Sequence, residues 1–316
     1  MIGTSIRFEE FTQTITALLQ EKFGKEFQIL AHTVVKNNDM KRTGISVQRK
    51  GSALSPTIYI DDLYHAGLTQ EEVQQIAERL QKEFKQAEME EMDLSAFSRF
   101  ETARRQLAFK LINRKKNKEF LRETPHRIFY DLAAVFYYSV QEAPFYGRAA
   151  ITVTQSHMQL WKRNTEELWE AALENSLRLF PAKIESMEKV MREMISPMRH
   201  NSQNTEENWQ EQLQKEMGQH NGMQMYVLSN QEKLYGAACM LYPKILSDFG
   251  KICGRDFYVL PSSIHEVLLI LEEKGKEKAL KEIVQDMNRN HVAPEEVLSD
   301  SVYHYNTKAD SLCLLP

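Results

Sequence analysis

The most apolar stretch of this 316-residue chain, Ile128 to Val140, is 13 residues long and carries Asp131 inside it. A membrane-spanning helix needs about 20 predominantly apolar residues, so the segment predicts the interior of a folded domain. Its aromatic and aliphatic density favours a buried strand, although period alone does not separate strand from helix over so short a run. The rest of the chain suits such a domain. It is 42% hydrophobic and 27% charged, which excludes a disordered, collagen-like or coiled-coil chain. Forty basic and 44 acidic side chains leave a formal charge of -4, so no global attraction to nucleic acid or membrane is expected.

Local patterns alternate between helix and strand. Phe8, Phe11, Ile15, Leu18, Leu19 and Phe23 recur at helical spacing before Gly24, and Phe27, Ile29, Ala31, Thr33 and Val35 then alternate as in a half-buried strand. Asn37-Asn38-Asp39 predicts a hairpin turn into a second strand around Ile45 and Val47, with an extended piece at Ile58 and Ile60. Thr69 with Glu72, and Asn164 with Glu167, have the spacing of capping boxes. Leu107, Phe109 and Leu111 predict a strand, and Ala149 to Val153 a returning one. Ile184, Met187, Met191 and Met194 read as one helical stripe packed in the core. Beyond them, Met225–Leu228 and Ala237–Leu241 read as paired strands, Pro243–Ile252 as a helix, Phe257–Leu260 and Val267–Leu271 as strands, and Lys276–Asn288 as a helix. Pro294 suggests one more helical turn. The expected fold class is α+β, with mixed or antiparallel sheets of short strands covered by helices. It is arranged as one integrated unit or as two lobes, residues 1–90 and 91–316, with breaks at the acidic stretch 86–93 and in a polar loop near 199–224.

Four segments carry a resemblance: Pro56-Thr57-Ile58-Tyr59, Pro125-His126-Arg127 with Asp131-Leu132-Ala133, Pro261-Ser262-Ser263-Ile264-His265-Glu266-Val267-Leu268, and Val292 to Asp300. They resemble an uncharacterised family of anaerobic Gram-positive bacteria known as a domain of unknown function. The resemblance spans most of the chain and implies one architecture rather than a fusion. It implies no activity, cofactor or catalytic residue.

Ser263, His265 and Glu266, with Ser262, gather the hydroxyl, imidazole and carboxylate of acid–base or nucleophilic catalysis. Catalytic triads assemble from separated segments, so the plainer reading is a capping box or structured turn. A zinc-protease His-Glu-x-x-His motif fails, because Leu269 stands where the second histidine must be. His157 joins the same hypothetical cleft only if two strand ends adjoin. Asp61-Asp62 suits a turn better than a magnesium site. No glycine-rich phosphate loop occurs. The nine histidines scatter without metal-ligand spacing, so no metal and no cofactor is expected unless side chains converge in three dimensions. The strongest local charge runs from Arg104 to Arg122 and includes Arg114, Lys115, Lys116 and Lys118, with Phe109 and Phe120 interleaved. Such a patch suits phosphates or a solvated surface.

Cys239, Cys253 and Cys313 fit neither a disulfide scaffold nor a four-ligand zinc site. The first ten residues turn acidic where a secretory leader would be apolar, and a cytoplasmic protein is expected. The functional expectation is a non-enzymatic binding or interaction module with a protein partner. The alternatives are a hydrolase-type site near His265 and, more weakly, nucleic-acid binding through Arg104–Arg122.

Overall fold

The computed structural model describes residues 6–51, 55–88, 95–143, 147–195, 208–216, 224–273, 275 and 277–316. The chain divides into two compact units, Met1–Leu94 with Val140–Ala149, and Ser95–Ser139 with Ala150–Pro316. The fold is α+β, and its sheets are antiparallel and built of short strands.

In the first unit, helix α1 (Phe8–Phe23) buries Phe11, Ile15 and Leu19 on one stripe and ends at Gly24, whose φ of 76° favours glycine. Strands β1 (Phe27–Val35) and β2 (Lys41–Arg49) form the expected hairpin, and β3 (Thr57–Tyr59) pairs with β2. Asn38 and Asp39 hold positive φ in the turn, a conformation these residues tolerate. In β1 only Ile29 is buried, and Ala31 and Thr33 face solvent. The alternation therefore marks a largely exposed strand, not a half-buried one. Helix α2 (Gln70–Glu88) begins at a capping box in which Thr69 N–H donates to Glu72 Oε2 and Glu72 N–H to Thr69 Oγ1. Its Val73, Ala77, Leu80 and Phe84 close the core over Ile45, Val47 and Ile60. Residues 89–94, most of the acidic break, lie outside the described residues.

The second unit holds α3 (Phe100–Ala103), β4 (Leu107–Asn113), α4 (Lys118–Glu123), β5 (His126–Phe129) and the parts of β6 (Leu132–Ala143) and β7 (Gly147–Thr152) that lie outside residues 140–149. These four strands form one sheet in the order β4-β6-β5, with β7 also on β6. The apolar stretch is thus a hairpin, broken at Tyr130-Asp131. Two short helices follow, α5 (Gln155–Trp161) and α6 (Thr165–Leu179), the latter capped as expected by Asn164 and Glu167.

Ile184 lies on a strand, β8 (Ala182–Ser186), ahead of helix α7 (Met187–Ile195). The three methionines share α7 but Ile184 does not, and Met191 is 55% exposed, so the four residues are not one helical stripe and Met191 is not core. Pro181 explains the switch: it ends α6 and restarts the chain extended. Helix α8 (Trp209–Glu216) is the described part of the polar loop, anchored by buried Leu213. The six-stranded sheet has the order β13-β12-β10-β11-β9-β8, and its remaining strands are β9 (Met225–Asn230), β10 (Phe257–Leu260), β11 (Val267–Leu271), β12 (Tyr303–Asn306) and β13 (Ser311–Leu314). Helices α9 (Ile245–Cys253) and α10 (Glu277–Asn290) complete the unit.

Ala237–Leu241, expected as a strand, lies in a 3-10 helix, Gly236–Leu241, that is buried through Met240. Their apolar run is continuous because the segment is wrapped by protein, and β9 pairs with β8 and β11 instead. Gly236 starts the turn in close quarters. A Cβ there would stand 2.1 Å from Ser229 Oγ and 2.5 Å from the His265 carbonyl oxygen. Gly236→Ala should therefore lower stability by about 1–3 kcal/mol, read as a shift of the denaturant midpoint.

Candidate functional site

The last two segments that carried the resemblance build one structure. Ile264 N–H donates to the Glu296 carbonyl, Leu298 N–H to Ser262 and Ser299 N–H to Pro261, around a bridge between Ser263 and Val297. His265 sits in this turn. Its Nδ1 accepts from Tyr235 N–H at 3.3 Å, its ring stacks on Tyr235 at 5.8 Å, and its Nε2 lies 3.5 Å from Glu296 Oε1. Ser263 Oγ accepts from His265 N–H, while Glu266 is exposed. Adjacent residues project from a turn in different directions, so the hydroxyl, imidazole and carboxylate meet different partners. The turn is held through His265, and the Ser263–Glu266 capping box does not form.

His157 serves elsewhere. Its Nδ1 accepts from Thr154 N–H at 3.0 Å in the cap of α5, and its ring packs on Phe97 and Trp161. Desolvation holds its pKa below the ordinary value of 6.5. A depressed histidine pKa means that the unfolded chain takes up the proton first. The resulting stability is complete above about pH 6.5 and is lost as pH falls below it. His157→Gln keeps a side chain able to accept the cap hydrogen bond and removes the titration. The fall in Tm between about pH 7 and pH 5.5 should be smaller in this variant than in the parent.

Asp61 and Asp62, in the first unit, also act structurally. Asp61 Oδ2 accepts from Thr43 N–H and Asp62 pairs with Arg42.

The basic run is divided by β4. Arg104 and Arg105 precede the strand and Arg114 to Arg122 follow it, and the strand between them runs seven residues at about 3.3 Å each. Phe109 is buried against Trp169 and is not available to stack on a base. After the strand, Arg114, Lys115, Lys118 and Arg122 line one concavity of about 710 Å³ with His126, Ile128, Tyr130, Asp131, Leu121 and Leu314. All four cations are exposed, and Arg122 pairs with Glu119 at 2.7 Å. Lys116 turns aside, 3.9 Å from Asp300. Ile128, Tyr130 and Leu314 are exposed by 46%, 49% and 37%, so the cations flank an uncovered apolar strip.

The wall of this pocket is the β5–β6 turn. With Phe129 opposite Leu132, the loop has two residues, Tyr130 and Asp131. Tyr130 takes a φ of 56°, where a β-carbon costs roughly 1–2 kcal/mol and two-residue hairpins commonly use Gly, Asn or Asp. The conformation is held from outside: Tyr130 OH donates to the Leu312 carbonyl, and its ring packs on Tyr303. Asp131 accepts from three hydroxyls, Ser299 Oγ at 2.5 Å, Ser301 Oγ at 3.0 Å and Tyr303 OH. Burial, and then the adjacent carboxylate, push the Tyr303 pKa up, which keeps the phenol a donor. Asp131→Ala leaves these donors without their acceptor. It should lower stability by about 3 kcal/mol, measured by chemical denaturation.

Sequence reasoning found the cations but missed Tyr130, Asp131 and Leu314. The one available signal was a charged residue inside the most apolar run.

A family model described as a family of unknown function (DUF5688) matches residues 8–307. The chain belongs to this family. No curated protein and no solved structure matched it. The Asp131 segment and the Ser299 segment, two on which the resemblance rested, meet at the pocket.

Proposed function

We propose that the protein is a non-enzymatic binding module that receives an acidic segment of a partner protein in the cationic pocket. The observation that carries this reading is the sharing of one concavity by Arg114, Lys115, Lys118 and Arg122 with the uncovered Ile128, Tyr130 and Leu314. Cations attract carboxylates and set the register, while the apolar strip supplies area removed from water. A polypeptide offers both kinds of group along its length. The pinned turn supports the reading further, because a rigid wall loses little entropy on binding. The engagement of Ser263, His265 and His157 in turns and caps supports a binding role over a hydrolytic one.

A reducing, cytoplasmic setting suits the unpaired thiols: Cys239 and Cys253 are buried and Cys313 is exposed. No helix among the described residues is long and apolar enough to cross a membrane.

The test is fluorescence anisotropy with three probes: an acidic peptide carrying leucine and phenylalanine, a single-stranded oligonucleotide and a DNA duplex. The peptide should bind, and should weaken as salt rises from about 50 to 200 mM. Replacing Arg114 and Lys118 together by Glu should weaken it at least tenfold, whereas Arg104→Glu, outside the pocket, should not. Equal loss in both variants, or no peptide binding at low salt, overturns the proposal. Binding of an oligonucleotide alone, with the same dependence on Arg114 and Lys118, would transfer the pocket to phosphates.

A further inference from the structure

We infer that Asp256, Glu272 and His304 form a binding site for a divalent transition-metal ion of the Zn²⁺ type, independent of the cationic pocket. These residues are far apart in sequence and come together through the register of the six-stranded sheet. Asp256 immediately precedes β10, Glu272 immediately follows β11, and His304 is the second residue of β12. Phe257 pairs with Leu271, so Asp256 and Glu272 stand side by side just beyond the ladder, where Glu272 N–H donates to the Asp256 carbonyl at 2.9 Å. Tyr258 pairs with His304. Side chains two apart along a strand share a face, so Asp256 falls on the same face as His304. One ligand atom from each residue lies within 4.8 Å of the others.

Two further observations distinguish the cluster from a chance grouping of acids. First, His304 Nε2 is buried and has no hydrogen-bond partner among the described residues. A buried polar atom left in this state is costly and calls for a missing partner. The nearest carboxylate atom, Glu272 Oε1, is 3.7 Å away. That is beyond a hydrogen bond, but close to the separation of about 3.4 Å that two ligands keep in a tetrahedral zinc site. Second, the carboxylate of Asp256 is already oriented. Thr307 N–H donates to Oδ1 at 2.8 Å and Asn306 Nδ2 to Oδ2 at 3.2 Å, which leaves a lone pair on each oxygen. Such outer hydrogen bonds are what fix ligating carboxylates. Thr307 is itself tied to the Arg255 carbonyl and packed close to Gly250, so this corner is rigid before any ion arrives.

The donor set matches the ion. One imidazole and two carboxylates bring two negative charges to a dication, and imidazole nitrogen favours the Zn²⁺ class over Mg²⁺ or Ca²⁺. Three protein ligands leave coordination positions open. Asp256 and Glu272 also line a cavity of about 650 Å³, which provides the way in.

Equilibrium dialysis of the full chain against Zn²⁺ alone tests the site. One equivalent should bind, and Glu272→Gln and His304→Gln should each weaken it at least tenfold. Cys313 pairs with His304 across β12 and β13 and is the natural rival ligand, so Cys313→Ser should bind as the parent does. Glu272 is 33% exposed, so its substitution by Gln spares the packing and decides the matter even if His304→Gln fails to fold. Absence of binding, unchanged binding in Glu272→Gln, or loss of binding in Cys313→Ser overturns the assignment. Retained zinc binding in the Arg114, Lys118 double variant separates this site from the pocket, whatever the fate of the peptide.

Discussion

The carboxylate of Asp131 is the point at which the second unit is fastened. It gathers Ser299, Ser301 and Tyr303, and so joins a tight hairpin turn near residue 130 to a segment about 170 positions later. Hydrogen bonds to an ionised acceptor are roughly twice as strong as neutral ones, and three of them converge on one group. The left-handed backbone of Tyr130 is tolerable because this fastening and the bond to the Leu312 carbonyl hold the turn in place.

Two groups of side chains lie on strands next to that fastening. On one side, β13 brings Leu314 to the cationic pocket, opposite Arg114 and its neighbours. On the other, Tyr303 is directly followed by His304, whose place against Asp256 and Glu272 follows from the start of β12. A slip of one residue in β12 would turn His304 to the opposite face. Asp131 thus lines the pocket and holds the residue that precedes His304.

Much of the architecture was legible where local chemistry decides it. The stripe Phe11, Ile15, Leu19, the turn at Asn38-Asp39 and the caps at Thr69 and Asn164 all formed as their spacing predicts. Misreadings fell where tertiary surroundings override period. Ala237 to Leu241 is apolar throughout because it is buried as a 3-10 helix, and a short apolar run carries no period by which to distinguish it from a strand. Met191 is apolar yet exposed. Strands β12 and β13 are four residues each, too short for their alternation to identify them, and their partners in the sheet make them strands. At the candidate site, the cations of residues 114–122 were visible as a run. The apolar strip that shares their concavity was not, since Ile128, Tyr130 and Leu314 come from two distant strand pairs.

By itself the sequence determined the α+β class, the helices with strong stripes and caps, the division of the chain into short strands, and a charged residue lodged in its greasiest segment. Each of these rests on interactions within a few residues, where spacing is a sufficient guide. The tertiary structure alone decided which of the suggestive side chains meet. It dispersed Ser263, His265, Glu266 and His157 into turns and caps, and it brought Asp256, Glu272 and His304 to one corner. The reason is that β-sheet register pairs residues by strand order rather than by distance along the chain. That order is settled by long-range packing, which no local spacing records.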